Sequence, residues 1–399
     1  MLVVNPASPS SLQAAWQRFQ QAPHRPCFVA GALAVVSLAL WWWIMLQWPH
    51  PGHWPAVMVH GLMMPLGVFP LFMFGFIFTA GPRWLNVDAV TGLAPLAVAY
   101  LSGILLSLLG FALGGAAPLP GLLSMAACWT WACWRWWRCI RFSSVEDRRH
   151  AKRLLLAFAM APTALLIAVL WVGSGDGRWW LLARSLSLWA FLLPVFLVVS
   201  HRMLPFFTQA VFPQKLAWRP PQLLDGWLAA CGLMALGSSL QWRGLSITAG
   251  LLLTASLGYT SWRWGLRLSL QNRLLAMLHL SFAWLAPAAL LQTLGDLGVP
   301  VGSAPAHALG LGFCVTMLVG FVTRVSLGHS GQPLQADRGY WCLYLGLHSI
   351  AALRVLVALL GLAPVWLHVV STAWLLLMLL WAGRVLPIYW QARRDGKPG

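Results

Sequence analysis

At 399 residues, the chain is 60% hydrophobic and only 9% charged, which excludes an ordinary soluble domain. Its formal net charge of +18 is spread over short loops rather than gathered in one patch, which sets nucleic acid aside as a partner. The 27 tryptophans, many at the ends of apolar runs (Trp41, Trp42 and Trp43; Trp129, Trp131, Trp134, Trp136 and Trp137), read as an interfacial belt. The implied class is an all-α polytopic membrane protein.

Residues 1–26 read as a polar cytoplasmic segment, with Ser10 and Ser11 as caps for a short surface helix carrying Trp16 and Phe19. No basic region or small-residue cleavage site precedes the first apolar run, so no cleaved leader is expected. A single domain of about 12 transmembrane helices then fills residues 27–388, and residues 389–399 form a cytoplasmic tail. The runs lie at about 27–48, 54–80, 89–112, 117–137, 153–173, 179–200, 223–241, 245–265, 274–294, 304–326, 340–361 and 364–388. Pro95 interrupts the third, and the seventh and eighth meet at a short join around Arg243.

Arginine and lysine set the orientation. One set of loops carries Arg83, the cluster from Arg138 to Lys152, Arg202, Lys215, Arg219, Arg267, Arg273 and Arg338. The termini add Arg18, Arg25, Arg393, Arg394 and Lys397, whereas the alternate loops hold little beyond Arg178 and Arg243. The positive-inside rule therefore predicts both termini in the cytoplasm, with an even number of spans. The seven cysteines form no CxxC pair and read as small packing residues.

With depth assigned, the polar residues inside the spans stand out. His60 in the second span and His307 in the tenth both fall near the outer, periplasmic end. Neutral imidazole is the usual axial ligand of haem iron, so two such residues on facing helices point to a haem clamped between them. The two helices share a spacing, Gly67 to Gly75-Phe76 and Gly312 to Gly320-Phe321, that opens a face to a flat macrocycle or, alternatively, to a neighbouring helix. Arg184 and Arg354 lie at a similar depth and suit the propionates of such a cofactor, or else they snorkel to the surface. His50, His53 and His368 share that end with Met58, Met63 and Met64, a set of imidazole and thioether donors that suits copper, against the plainer reading of methionine as filler. His279 and His348 read as hydrogen-bonded structural residues. No Walker loop, GxGxxG or HExxH occurs, and no carboxylate sits deep in a span, which argues against a proton-coupled transporter.

Three blocks in order resemble one family, the NnrS proteins of bacterial nitric oxide metabolism: VHGLMMPLGVFPLFMFGFIFTAGPRWL at 59–85, HRMLPFFTQA at 201–210 and HALGLGFCVTMLVGFVTRVSLGHSGQPL at 307–334. The resemblance implies a bacterial inner-membrane protein with haem (of the b type) and copper, linked to tolerance of nitric oxide. His60, His307, His329 and His201 are the histidines inside the shared blocks, and so the metal-ligand candidates that the resemblance offers. The chain is also similar to subunit I of haem-copper oxidases in its number of spans and its histidines on the second and tenth. It departs from them in having no adjacent His-His pair and no histidine followed four residues later by tyrosine in the sixth span. Two other classes stay open at this point: a transporter or channel whose buried His and Arg line a permeation path, and an assembly factor for other metal proteins. Nitric oxide or a related small ligand, the lipid bilayer and an unidentified redox partner are the expected partners.

Overall fold

The computed structural model describes residues 16, 19–20, 22–48 and 53–396, so Ser10, Ser11, Arg18, His50 and Lys397 lie outside the described residues. Twelve long helices occur among them. They are α1 (His24–Gln47), α2 (Ala56–Leu85), α3 (Leu93–Leu113), α4 (Leu119–Arg141), α5 (Arg149–Ser174), α6 (Gly177–Val211), α7 (Pro221–Leu240), α8 (Arg243–Trp264), α9 (Arg273–Asp296), α10 (Ala304–His329), α11 (Arg338–Leu360) and α12 (Val365–Trp390). A short turn, Leu266–Ser269, joins α8 to α9, and no strand is present among the described residues.

Ten of the twelve are long and apolar enough to cross a membrane, so the chain is a multi-pass membrane protein. The other two are α4 and α8, at 23 and 22 residues. They are less apolar because α4 carries five tryptophans and three arginines, and α8 a run of serine and threonine between Arg243 and Arg263. Pro95 does not break α3. It falls in the first turn, where a missing N–H costs little. The α7–α8 join is two residues, Gln241 in the left-handed region at φ 55° and Trp242, whose N–H returns to the Gly237 carbonyl at 2.8 Å.

Successive helices run back and forth, as the contacts between their joins show. Ser143 Oγ donates to the Leu85 carbonyl at 2.6 Å, Trp54 Nε1 to Gly115 at 3.1 Å, and Arg25 to the Tyr389 carbonyl at 3.1 Å. One end of the bundle therefore collects Arg25, Arg83, Arg138 to Lys152, Arg202, Arg273, Arg338 and Arg393. Among the described residues the opposite end keeps only Arg178, Arg184, Arg243 and Arg354.

Burial is uneven. It reaches 83% of the apolar stretch in α2, 78% in α10 and 72% in α6, against 33% in α12. These three central helices meet through a layer of phenylalanines: Phe69 lies 5.6 Å from Phe196, and Phe196 lies 5.4 Å from Phe313, ring centre to ring centre.

The same three helices each contain a widened, π-helical stretch near the opposite end: Met64–Val68 in α2, Leu186–Leu192 in α6 and Ala308–Val315 in α10. In α2 the cause is legible, because Pro65 has no N–H to bond the turn behind it, and the wider register absorbs the defect. In α6, Pro194 follows the stretch directly. In α10 no proline lies within the stretch, which instead holds Gly310 and Gly312.

Candidate cofactor site

Each widened stretch follows closely on a polar residue: His60 precedes Met64, Arg184 precedes Leu186, and His307 precedes Ala308. The bundle brings these residues together at the opposite end. The His60 and His307 rings lie 6.3 Å apart between centres and within 19° of parallel. His307 Nδ1 donates to the Ser303 carbonyl one turn back at 2.9 Å, which fixes its tautomer and leaves Nε2 with the free lone pair. Arg354, from α11, donates to the Ser303 hydroxyl at 2.8 Å, so Ser303 ties the cation to the imidazole. On the other side, the Arg184 guanidinium stands 5.7 Å from the centre of the Trp180 ring, and Trp180 Nε1 donates to the Met58 carbonyl in the first turn of α2 at 2.9 Å. This end thus holds two imidazoles and two cations, and among the described residues no ion pair joins a carboxylate to Arg184 or Arg354.

Whether these residues fit a haem is tested by the imidazole atoms themselves. His60 Nδ1 is buried with no hydrogen-bond partner, a costly state unless something else occupies the nitrogen. With one nitrogen of each ring turned toward it, an ion about 2 Å from both would set the ring centres roughly 6 Å apart, close to the 6.3 Å between them. The donor set and the spacing therefore suit a metal held between α2 and α10, and the unpaired arginines suit a carboxylate-bearing group beside it.

The glycines do something else. A Cβ on Gly67 would come within 2.7 Å of Leu38, and one on Gly75 within 2.6 Å of Phe28, both on α1. On Gly312 it would meet Trp284 at 2.6 Å, and on Gly320 it would meet Leu278 at 3.1 Å, both on α9. The shared spacing thus serves two matched helix contacts, α2 on α1 and α10 on α9. The glycine beside Arg184 is Gly61, whose Cβ would lie 3.3 Å from Trp180 and 3.9 Å from Arg184. Gly310 faces open space.

The remaining histidines separate by their hydrogen bonds. His201 Nε2 donates to the Pro220 carbonyl at 3.1 Å, and its Nδ1 accepts from His150 Nε2 at 3.0 Å, so in the neutral ring both nitrogens are committed. His279 donates to Thr208 Oγ1 at 2.8 Å and is structural, as its place in a span implied. His348 accepts from Trp284 Nε1 at 2.8 Å, yet its Nε2 is buried without a partner. His329, at the basic end of α10, lies 4.5 Å from the ring of His24, whose Nδ1 is likewise buried and unpartnered. His53 packs edge-on to Trp54, and His368 keeps an unpartnered Nδ1; neither is a ring partner of His60. Of the methionines near His60, Met63 is fully buried in the core. Among the described residues no group of three or more His, Cys, Asp or Glu side chains converges, and the seven cysteines are unpaired.

Sequence reasoning missed three participants. Trp42 packs against His60 with ring centres 4.0 Å apart and planes tilted by 32°, a role hidden by its membership of an apparent interfacial belt. Ser303 lies before the tenth run, in a loop that carried no signal. His24 was lost in the polar N-terminal segment.

What the fold and this end of the bundle define is a helical multi-pass membrane protein with a paired-imidazole site between two central helices. The NnrS family model matches residues 18–393, nearly the whole chain, and the chain belongs to the NnrS family. No curated protein and no solved structure matches it.

Proposed function

We propose that this chain is a haem b-binding protein of the bacterial inner membrane that acts in tolerance of nitric oxide, with the haem between α2 and α10. The observation that carries the reading is the His60–His307 pair: 6.3 Å between ring centres, near-parallel planes and a buried nitrogen without a partner. His60 and His307 would hold the iron, and Arg184 and Arg354 would bind the propionates. Bound there, haem supplies an iron centre that takes nitric oxide as a ligand. The chain's own part is positional. Ser303 holds the His307 ring through Nδ1, Trp42 fixes the plane of His60, and the layer of Phe69, Phe196 and Phe313 closes the site off from the rest of the bundle. Topology follows from charge: twelve crossings, α4 and α8 included, place the basic end and both termini in the cytoplasm and the imidazole pair on the periplasmic side. For copper, His329 with His24 is the other pair with a nitrogen to spare, and two imidazoles without carboxylates favour the monovalent ion. His201 is the weaker of the candidates, with both nitrogens bonded.

A permeation path is the competing reading, and it requires polar groups through both halves of the bundle. The phenylalanine layer between α2, α6 and α10 argues against it. The deciding experiment is a reduced-minus-oxidised spectrum with metal analysis on protein purified after haem-replete expression. A Soret band that disappears in both His60→Ala and His307→Ala is expected. Its absence from the unmodified protein, or an unchanged spectrum in either variant, sinks the proposal.

A further inference from the structure

Between the two ends of α2, α6 and α10 the packing opens into a cavity of about 50 Å³. Its walls are phenylalanine, methionine, valine, leucine and isoleucine side chains, with no polar residue among them. A water needs about 10–15 Å³ and two or more polar partners. This space has the room but offers water no hydrogen-bond partner, so water gains nothing by entering it. Apolar cavities of that kind accept small apolar guests.

The volume is framed by rigid groups at both ends. Toward the imidazole pair stands the layer of Phe69, Phe196 and Phe313. Toward the basic end, Phe76 lies 5.6 Å from Phe321, and Phe321 lies 6.0 Å from Phe207, which carries the Arg324 guanidinium 4.1 Å over its ring. Aromatic rings clamped edge to face on three helices have little rotamer freedom with which to collapse into the gap. The cavity is thus part of the same three-helix core as the candidate cofactor site, but one layer removed from it.

We propose that this cavity is a binding site for an uncharged diatomic gas. The expectation that the gas is nitric oxide rests on the haem reading above; the capacity of the site for an apolar gas does not. Gas partitions from the bilayer into an apolar cavity without losing hydrogen bonds, whereas water and ions are excluded.

Xenon is the probe, and the full chain in detergent is the sample, read by xenon NMR against protein-free micelles. The unmodified protein is expected to show saturable xenon exchange beyond the micelle background. Val322→Phe, which fills the cavity, removes it, and Ile77→Ala, which enlarges it, strengthens it. His60→Ala leaves it unchanged, so the loss of a Soret band in that variant bears on the haem reading alone. No exchange above the micelle background, or equal exchange in the unmodified, filled and enlarged proteins, overturns the proposal. Should Val322→Phe fail to fold, Ile77→Ala decides, because unchanged exchange in that variant overturns it equally.

Discussion

The two ends of the bundle carry histidine pairs of opposite character: His150 on α5 with His201 on α6, and His60 on α2 with His307 on α10. At the basic end, His150 and His201 form a closed chain of hydrogen bonds that ends on the Pro220 carbonyl. At the opposite end, His60 and His307 face each other across 6.3 Å with no bond between them, and a His60 nitrogen is left buried and bare. A buried imidazole with its nitrogens satisfied is scaffold. One with a nitrogen left open has given up roughly 1–3 kcal/mol of hydrogen-bond energy, and a bound metal is the simplest way to recover it. The bare nitrogen together with a second imidazole at 6.3 Å, rather than the presence of histidine in a membrane helix, is what makes this pair the candidate site.

The sharpest way to break this comparison is to remove one member of each pair. His60→Ala is expected to abolish haem retention, whereas His201→Ala retains the full haem complement and loses stability instead. Losing the bonds to His150 and Pro220 should cost about 1–3 kcal/mol, read as a lower thermal transition in detergent. If His201→Ala loses haem and His60→Ala does not, the two ends have been assigned the wrong way round.

The cations come next. Arg184→Gln and Arg354→Gln are each expected to weaken haem binding about tenfold, the low end for partners that support a metal site. The Soret position should hold, because the two imidazoles that would hold the iron are unchanged. Arg354→Gln should have the larger effect, since Arg354 also anchors Ser303 beside His307. A shifted Soret band in either variant would assign that arginine a part other than holding propionates.

Most of the fold was legible in the sequence because lipid imposes one demand, long apolar helices, and leaves a strong pattern. The twelve apolar runs coincide with α1 to α12, and Lys and Arg sort to one end as their loop positions implied. The candidate site was half legible. His60, His307, Arg184 and Arg354 stand out because polar side chains in lipid are expensive. Trp42 does not, because a tryptophan near a helix end looks the same in a belt as it does against an imidazole. Nor do the three widened stretches, since a register change is a property of the backbone. Only Pro65 and Pro194 gave any hint of them. The glycine spacing carried a real signal, whose partners lie on α1 and α9, helices that the spacing itself cannot name.

That last point yields the smallest effect and the most discriminating one. Gly312→Ala would place a Cβ 2.6 Å from the Trp284 ring, and Gly75→Ala one 2.6 Å from Phe28, while Gly310→Ala meets nothing. Overpacking of this kind costs about 1–3 kcal/mol, so the first two variants should lower the thermal transition and Gly310→Ala should not. If the glycines serve helix contacts, the haem spectrum per folded molecule stays unchanged in Gly75→Ala, which lies on the α1 face and far along α2 from His60. Gly312→Ala pushes on Trp284, whose indole N–H donates to His348 Nδ1, so its effect reaches that imidazole as well. A haem spectrum altered by Gly75→Ala with stability unchanged would return that face to the cofactor and undo the division between packing helices and site helices.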